Sequence, residues 1–443
     1  MRYTLVLLLI CYLSTSSFAS FSFNLRNEAS ITTKSKAFEY LQLQSKSIWP
    51  EKNEHGFIPI GNDGSDMFYW YFPARENPET APLVLWLTGG PGCSSELAIF
   101  YENGPFSLTQ ESSDTTLMHN KYSWNTRANM IYIDSPIGTG FSKAAHEWDL
   151  NIFERQVAKN ITELLVKFIQ KHPEFTKRDF YITGESYAGK YIPFLGKYLD
   201  DMKSDENVKK YINLKGVAIG NGWVYPINQY DSYVTYPYNN GLINDAQKQE
   251  IKVAMDKCKK VSEAGLIFVD SAVCEVSMGL INKYVDNFNL YDIRKKKVGQ
   301  GLGYNFDSIS ELFKKPEVIA DLGIKDRLPY EMCSDGPNTA LIVDYNTDAT
   351  VGVAQLLNNN YKVFVYSGDK DYSCNWEGGL SWVTKMSWKH QNEFNKIDLT
   401  KCVYGSCKEF ANLKFIKVAD SGHMVPMDQP ENALKMLDEF LGF

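Results

Sequence analysis

Three residues suited to covalent chemistry occur in the order serine, aspartate, histidine, each just past an apolar run. Ser186 lies in Asp179-Phe-Tyr-Ile-Thr-Gly-Glu-Ser-Tyr-Ala-Gly189, Asp369 and Asp371 follow Val363 to Ser367, and His423 follows Phe415 to Asp420. A serine hydroxyl becomes a strong nucleophile when a neutral imidazole takes its proton, and a carboxylate fixes the imidazole tautomer and stabilises its charge. His423 is the only histidine of six in a Gly-flanked loop after such a run; His55, His119, His146, His172 and His390 fall in polar surroundings and read as surface residues. Spacing does not separate Asp369 from Asp371, and either also suits a turn or a helix cap. The developing oxyanion needs two backbone N–H groups. One is the amide after the nucleophile, Tyr187, and the loop Gly89-Gly90-Pro91-Gly92 occupies the place of the other. No Lys-Ser/Thr follows these glycines, which disfavours a phosphate cradle.

These groups need elements to hold them. Phe180 to Thr183 has the aromatic and β-branched composition of a buried strand, Gly184 breaks it, and Tyr187 to Asp200 reads as a helix. A serine at such a turn is the nucleophile elbow of an α/β-hydrolase, and the Ser…Asp…His order belongs to the same fold. The turn requires small residues two places away on either side, here Gly184 and Ala188, with Ala in place of the consensus Gly. Pro82 to Thr88 is apolar without alternation, as in a strand covered on both faces. Met130 to Asp134, Leu214 to Gly222, Tyr361 to Asp369 and Leu413 to Val418 read as further strands, with an edge ribbon at Gly56 to Ile60 and Met67 to Phe72. Asp149 to Lys171 is predicted as a helix with Ile152, Phe153, Val157, Ile161, Leu164, Leu165 and Phe168 on one side, and Glu431 to Leu441 as the closing helix. The alternation predicts an α/β fold: a mostly parallel central sheet with helices on both faces. It is interrupted at about 223–325, read as a mainly helical cap inserted into the catalytic domain that runs from 20 to 443. The basic run Arg294-Lys-Lys-Lys297 reads as a solvated helix end rather than an anion site.

Residues 1–19 read as a secretory signal peptide: Arg2, an apolar Leu5 to Leu13, and Ser17-Phe18-Ala19 at the cleavage point. No later run is apolar for long enough to cross a bilayer. The chain then sees an oxidising lumen, where Asn160-Ile161-Thr162 is a glycosylation acceptor on an exposed helix face. Of eight cysteines, Cys11 leaves with the leader. The odd remainder (Cys93, Cys258, Cys274, Cys333, Cys374, Cys402 and Cys407) implies up to three disulfides and one free thiol, which arithmetic does not assign. There is no Cys-x-x-Cys or His-rich tract, so no metal site and no cofactor is expected. The net charge of −7 argues against nucleic acid as a partner.

Five motifs in order resemble the serine carboxypeptidase family: Trp86-Leu-Thr-Gly-Gly-Pro-Gly-Cys-Ser-Ser95, Gly184-Glu-Ser-Tyr-Ala-Gly189, Gly220-Asn-Gly222, Tyr366-Ser-Gly-Asp-Lys-Asp-Tyr-Ser-Cys-Asn-Trp376 and Gly422-His-Met-Val-Pro-Met-Asp-Gln-Pro430. The resemblance runs from about Ala37 to Phe443. It implies Ser186 as nucleophile, Asp371 rather than Asp369 as the acid, His423 as base, and the Gly90 and Tyr187 amides as oxyanion donors. It further implies that Glu102 and Glu185, with Thr88 and Gly89, bind the free C-terminal carboxylate of a peptide. Two buried carboxyls in contact should share a proton and titrate high, which predicts an acidic optimum. Met424 matches a residue of the leaving-residue pocket, and Cys374 resembles the family's free thiol near the site, which the resemblance places in the substrate pocket with it. Cys93 with Cys333 and Cys258 with Cys274 are the implied disulfides, leaving Cys402 with Cys407 by parity. The chain departs from the pattern at Thr88, where many members have Asn, and at Lys190, where His is usual.

The reading that follows is an acid-active exopeptidase of vacuole, lysosome or extracellular space, monomeric or homodimeric, acting on peptides and proteins with a free C-terminus. The alternatives are an acyltransferase on the same fold, disfavoured by the Glu of Gly-Glu-Ser-Tyr, and a lumenal protein that stabilises a partner.

Overall fold

The computed structural model describes residues 48–109, 115–265, 267–298 and 303–443, so the expected leader lies outside the described residues. Among the described residues twelve strands form: β1 Glu54–Ile60, β2 Ser65–Phe72, β3 Leu83–Leu87, β4 Phe106–Ser107, β5 Met118–His119, β6 Asn129–Ile133, β7 Asp179–Glu185, β8 Asn213–Gly220, β9 Lys362–Gly368, β10 Thr400–Cys402, β11 Gly405–Phe410 and β12 Leu413–Val418. Ten of them make one sheet in the order β1-β2-β6-β3-β7-β8-β9-β12-β11-β10, and β4 pairs with β5 alone. The six central strands run parallel, and antiparallel ribbons close both edges.

The central strands are apolar throughout because both faces are covered. On β3, Leu83, Leu85 and Leu87 enter one core, while Val84 and Trp86 enter the other. The first core is closed by α2 (Glu154–Lys171), α3 (Ala188–Asp201) and α6 (Thr350–Asn358); the second by α1 (Glu96–Tyr101) and α7 (Pro430–Leu441). Val157, Ile161, Leu164, Leu165 and Phe168 form the buried stripe of α2. Truncating any one of them to Ala should cost about 2–5 kcal/mol.

The expected start of that helix is corrected. It begins at Glu154 rather than Asp149, because the Gln156 side chain accepts the amides of Ile152 (2.9 Å) and Phe153 (3.0 Å) and holds them extended. Ile152 and Phe153 therefore point outward, at 43% and 45% exposure.

Between β8 and β9 the described residues contain helices and loops and no strand. The longest are α4 (Asp245–Glu263) and α5 (Ile267–Gly279), joined by Cys258–Cys274. The basic run is not a helix end: it lies on turns, and Arg294 and Lys295 are paired with Asp292 and Asp428. Three histidines also depart from expectation. His55, His172 and His390 are half-buried against Trp70, Phe168 and Trp388, whereas His119 and His146 are exposed.

Candidate active site

β7 delivers Ser186 at a backbone angle that side chains resist, with φ at +65°. A non-glycine residue there costs on the order of 1–3 kcal/mol. Three hydrogen bonds hold it: its N–H donates to Gly220 O (3.0 Å), and its carbonyl accepts from Gly189 N and Trp223 N, both at 2.9 Å. The need for small neighbours is geometric, since a Cβ on Gly184 would stand 2.3 Å from Leu87 O and 3.0 Å from the Ala188 methyl. Gly89 presses still closer, and a Cβ there would lie 2.4 Å from the Tyr187 amide nitrogen and 2.7 Å from Ser186 Cβ. The glycine loop thus lies against the elbow at the Tyr187 amide. Cys93–Cys333 fixes that loop to the segment after the cap, together with Ser334 N to Gly92 O (2.8 Å) and Ser94 N to Met332 O (2.8 Å).

Asp371 and His423 meet behind this turn. Asp371 Oδ2 accepts from Asn221 Nδ2 (2.7 Å) and Cys374 N (3.0 Å), and its Oδ1 accepts from Ser373 N (2.8 Å). With only donors around it, the carboxylate also accepts from His423 Nδ1–H at 2.8 Å. In the neutral imidazole that places the proton on Nδ1 and makes Nε2 the acceptor, which has no protein partner among the described residues. Asp369 instead pairs with Lys370 at 3.0 Å. Asn221 holds both sides of the arrangement, its Oδ1 accepting from Gly368 N at 3.2 Å. Sequence reading marked Gly220-Asn-Gly222 only as a motif; the orienting role of Asn221 appears once β8 is seen beside β9.

A cavity of about 290 Å³ opens over Ser186 and His423. Thr88, Gly89, Gly90, Glu185 and Met424 line it, as do Tyr291 and Tyr304 from the cap, which sequence reading did not single out. Cys374 was expected in the substrate pocket and is not on this wall: its amide supports Asp371, and burial pushes its thiol well above the usual range. Larger clefts of about 550 and 590 Å³ lie elsewhere and carry none of these groups.

Glu185 is 3% exposed, and Glu102 sits behind it at 4%. Burial is the largest cause for both: it pushes Glu102 up to about 8 although the hydrogen bond with Glu185 lowers it, and it pushes Glu185 well above the usual carboxyl range, where the nearby Glu102 raises it further. Both shifts run upward, the direction expected of two buried carboxyls in contact. Thr88 is fixed beside them, its hydroxyl accepting from Trp86 Nε1 at 3.0 Å.

Outside the cavity, Asn160 is half-buried on α2 and its amide donates to Asn151 Oδ1 (3.2 Å), while Thr162 is buried; the expected exposed face is not what the structure shows. Cys402 is bonded to Cys407 across the β10–β11 turn, and Cys374 is the free thiol among the described residues. No helix of the described residues is long and apolar enough to cross a membrane.

A mostly parallel sheet with a strained serine elbow after β7 and an Asp-His pair from the ends of β9 and β12 defines an α/β-hydrolase. Within that class the family model for serine carboxypeptidase matches residues 44–442. Serine carboxypeptidase-like 49 of Arabidopsis thaliana is 39% identical over 85% of this chain and 74% of its own. Serine carboxypeptidase 3 of Hordeum vulgare is 40% identical over 84% and 74%. The structure of the prohormone-processing carboxypeptidase Kex1(delta)p from Saccharomyces cerevisiae superposes with a TM-score of 0.77 at 25% identity, covering 88% of this chain and 91% of its own. The chain belongs to the serine carboxypeptidase family and is a serine-type peptidase.

Proposed function

We propose that Ser186 forms the acyl-enzyme and that the enzyme selects peptides by their free C-terminal carboxylate. His423 Nε2 takes the Ser186 proton as Oγ attacks the scissile carbonyl, and Asp371 stabilises the imidazolium. The amides of Gly90 and Tyr187 receive the oxyanion. The imidazolium then gives its proton to the leaving amine, the C-terminal amino acid departs, and water activated by the same imidazole releases the acyl group. Glu185, protonated and on the cavity wall, donates a hydrogen bond to the substrate carboxylate, with Thr88 and the Gly89 backbone completing the clamp. When Glu102 ionises, the Glu185 proton is drawn to it and the clamp becomes repulsive. Met424 and the cap tyrosines give an apolar wall for the leaving residue. The paired cysteines and the leader-like N-terminus support a destination in the secretory pathway.

The observation that carries this reading is a buried carboxyl pair, Glu102 behind Glu185, with Glu185 on the wall of the cavity over Ser186. It is tested with N-blocked Phe-Leu and its C-terminal amide between about pH 4 and 8. Release of leucine that is lost in Ser186→Ala, falling as pH approaches 8 and much weaker on the amide, is expected. Equal cleavage of acid and amide would overturn the clamp, and transfer to an alcohol without hydrolysis would replace peptidase by acyltransferase.

A further inference from the structure

The triad's acid and base stand on separate loops, after β9 and after β12, and a segment of the cap touches both. Leu290 O accepts from Tyr372 N (3.0 Å) and Ser373 N (2.9 Å), the two residues after Asp371. Ile293 N donates to Lys370 O (2.9 Å), the residue before it. Tyr291 O accepts from the backbone N–H of His423 itself at 2.7 Å, and the Tyr291 ring lies 4.6 Å from the imidazole. The approach is close enough to exclude a side chain, since a Cβ on Gly422 would stand 2.4 Å from Tyr291 O and 2.9 Å from Asp292 Cβ.

Charge locks the segment in place. Asp292 is fully buried and accepts from Arg294 Nε (2.9 Å), Arg294 Nη2 (2.8 Å) and Arg294 N (3.0 Å). Arg294 Nη1 reaches on to Asp420 O (3.1 Å) at the base loop. Lys295 bridges Asp292 (3.3 Å) to Asp428 (2.9 Å), whose other oxygen accepts from Gly422 N (2.7 Å). Removing one partner of such a network leaves the buried carboxylate or the loop carbonyl without its donor.

We infer that Leu290–Lys295 is a strap by which the cap sets the spacing of the acid and base loops, with Asp292 and Arg294 as positioning residues for the transfer of the Ser186 proton. The inference rests on Ser186, Asp371 and His423 acting as proposed above. A reacting group misplaced by about 1 Å costs on the order of 100-fold in rate; loss of one anchor among several should cost about tenfold.

The test is kcat per competent site, obtained by titrating Ser186 with a phosphonofluoridate and then measuring hydrolysis of the blocked dipeptide. Asp292→Asn is expected to lower kcat per titrated site about tenfold, with KM unchanged and phosphonylation slowed in parallel. Arg294→Lys should recover part of the loss seen in Arg294→Gln, and Lys297→Gln, in the same basic run, should change nothing. Fewer titratable sites with unchanged kcat per site would overturn the inference by showing a purely structural role. A rise in KM alone would overturn it as well. Should Asp292→Asn fail to fold, the partly exposed Arg294 pair of variants decides by the same criterion. A wild-type protein that phosphonylates but does not release leucine would instead refute the peptidase reading.

Discussion

Among the described residues, two buried carboxyl pairs differ in their surroundings: one reaches the cavity over Ser186 and the other lies between a helix and a strand end. Glu102 with Glu185, and Glu96 with Asp134, are each almost wholly withdrawn from solvent, and burial drives all four above the usual carboxyl range. The environments then diverge. Asp134 is saturated by backbone donors, Ser95 N at 3.0 Å and Phe141 N at 2.7 Å, so the Glu96 proton has a fixed acceptor. Glu185 has no such anchoring and lies on the wall of the Ser186 cavity. The sealed pair ties α1 to the end of β6, whereas the open pair keeps a donor for something that enters. A raised carboxyl marks burial; access beside a nucleophile marks function.

Breaking the sealed pair should have the larger effect. Glu96→Ala leaves the Asp134 carboxylate buried without its proton donor, and a loss of about 3–5 kcal/mol is expected. Urea unfolding at fixed pH measures it. The molecules that remain folded should keep KM within about twofold. A large rise in KM without loss of stability would erase the distinction between the pairs.

Breaking the open pair should do the reverse. Glu185→Ala is expected to raise KM for blocked Phe-Leu by about 10- to 100-fold, the worth of a lost hydrogen bond to a charged group, and to leave cleavage of an ester without a C-terminal carboxylate little changed. In the wild type, kcat/KM should fall as pH rises through about 8, where Glu102 ionises. Glu102→Gln removes that ionisation, and the alkaline fall should move upward. An unchanged profile would separate the pH dependence from the pair.

How much of this was readable follows from where each signal resides. The strands of the core were legible because a run such as Leu83 to Leu87 is apolar on both faces, and the observed strand ends agree within a residue or two. The elbow was legible because Ser186 and its small neighbours are adjacent in the chain. Glu96 and Asp134 were not, because a lone acidic residue after a strand or in a first helical turn has the same signature exposed or buried. Tyr291, Tyr304 and the strap were not, because the cap's irregular backbone carries no periodicity and its partners are distant loops. The start of α2 was misplaced because Ile152 and Phe153 fit the apolar period, while the side chain that excludes them from the helix, Gln156, looks like any surface residue.

A buried carboxyl outside both pairs extends the comparison, because its neighbour is a cation. Glu154, under the elbow, is pushed up to about 8 by burial, and Lys190, fully buried and donating to the carbonyls of Thr347 and Val224, is pushed down to about 7. The two signs oppose in stability. A carboxyl raised in the folded state contributes below its ordinary value of 4.5 and loses that contribution as pH climbs through the folded value, so Glu102 and Glu154 weaken the fold between about 4.5 and 8. A lysine lowered from 10.5 to about 7 acts oppositely: its contribution is complete above 10.5 and is lost as pH falls through 7. Below pH 7 it adds no slope, so wild type and Lys190→Met should weaken in parallel from pH 5 to 6.5. Between pH 8 and 9 the variant lacks the lysine's rising contribution, and its slope should lie about 1.4 kcal/mol per pH unit below that of the wild type. Urea midpoints at these four pH values read the difference. Equal slopes on both sides would mean that Lys190 keeps its charge under the elbow, and that the cation-partnered carboxyl behaves like the two pairs after all.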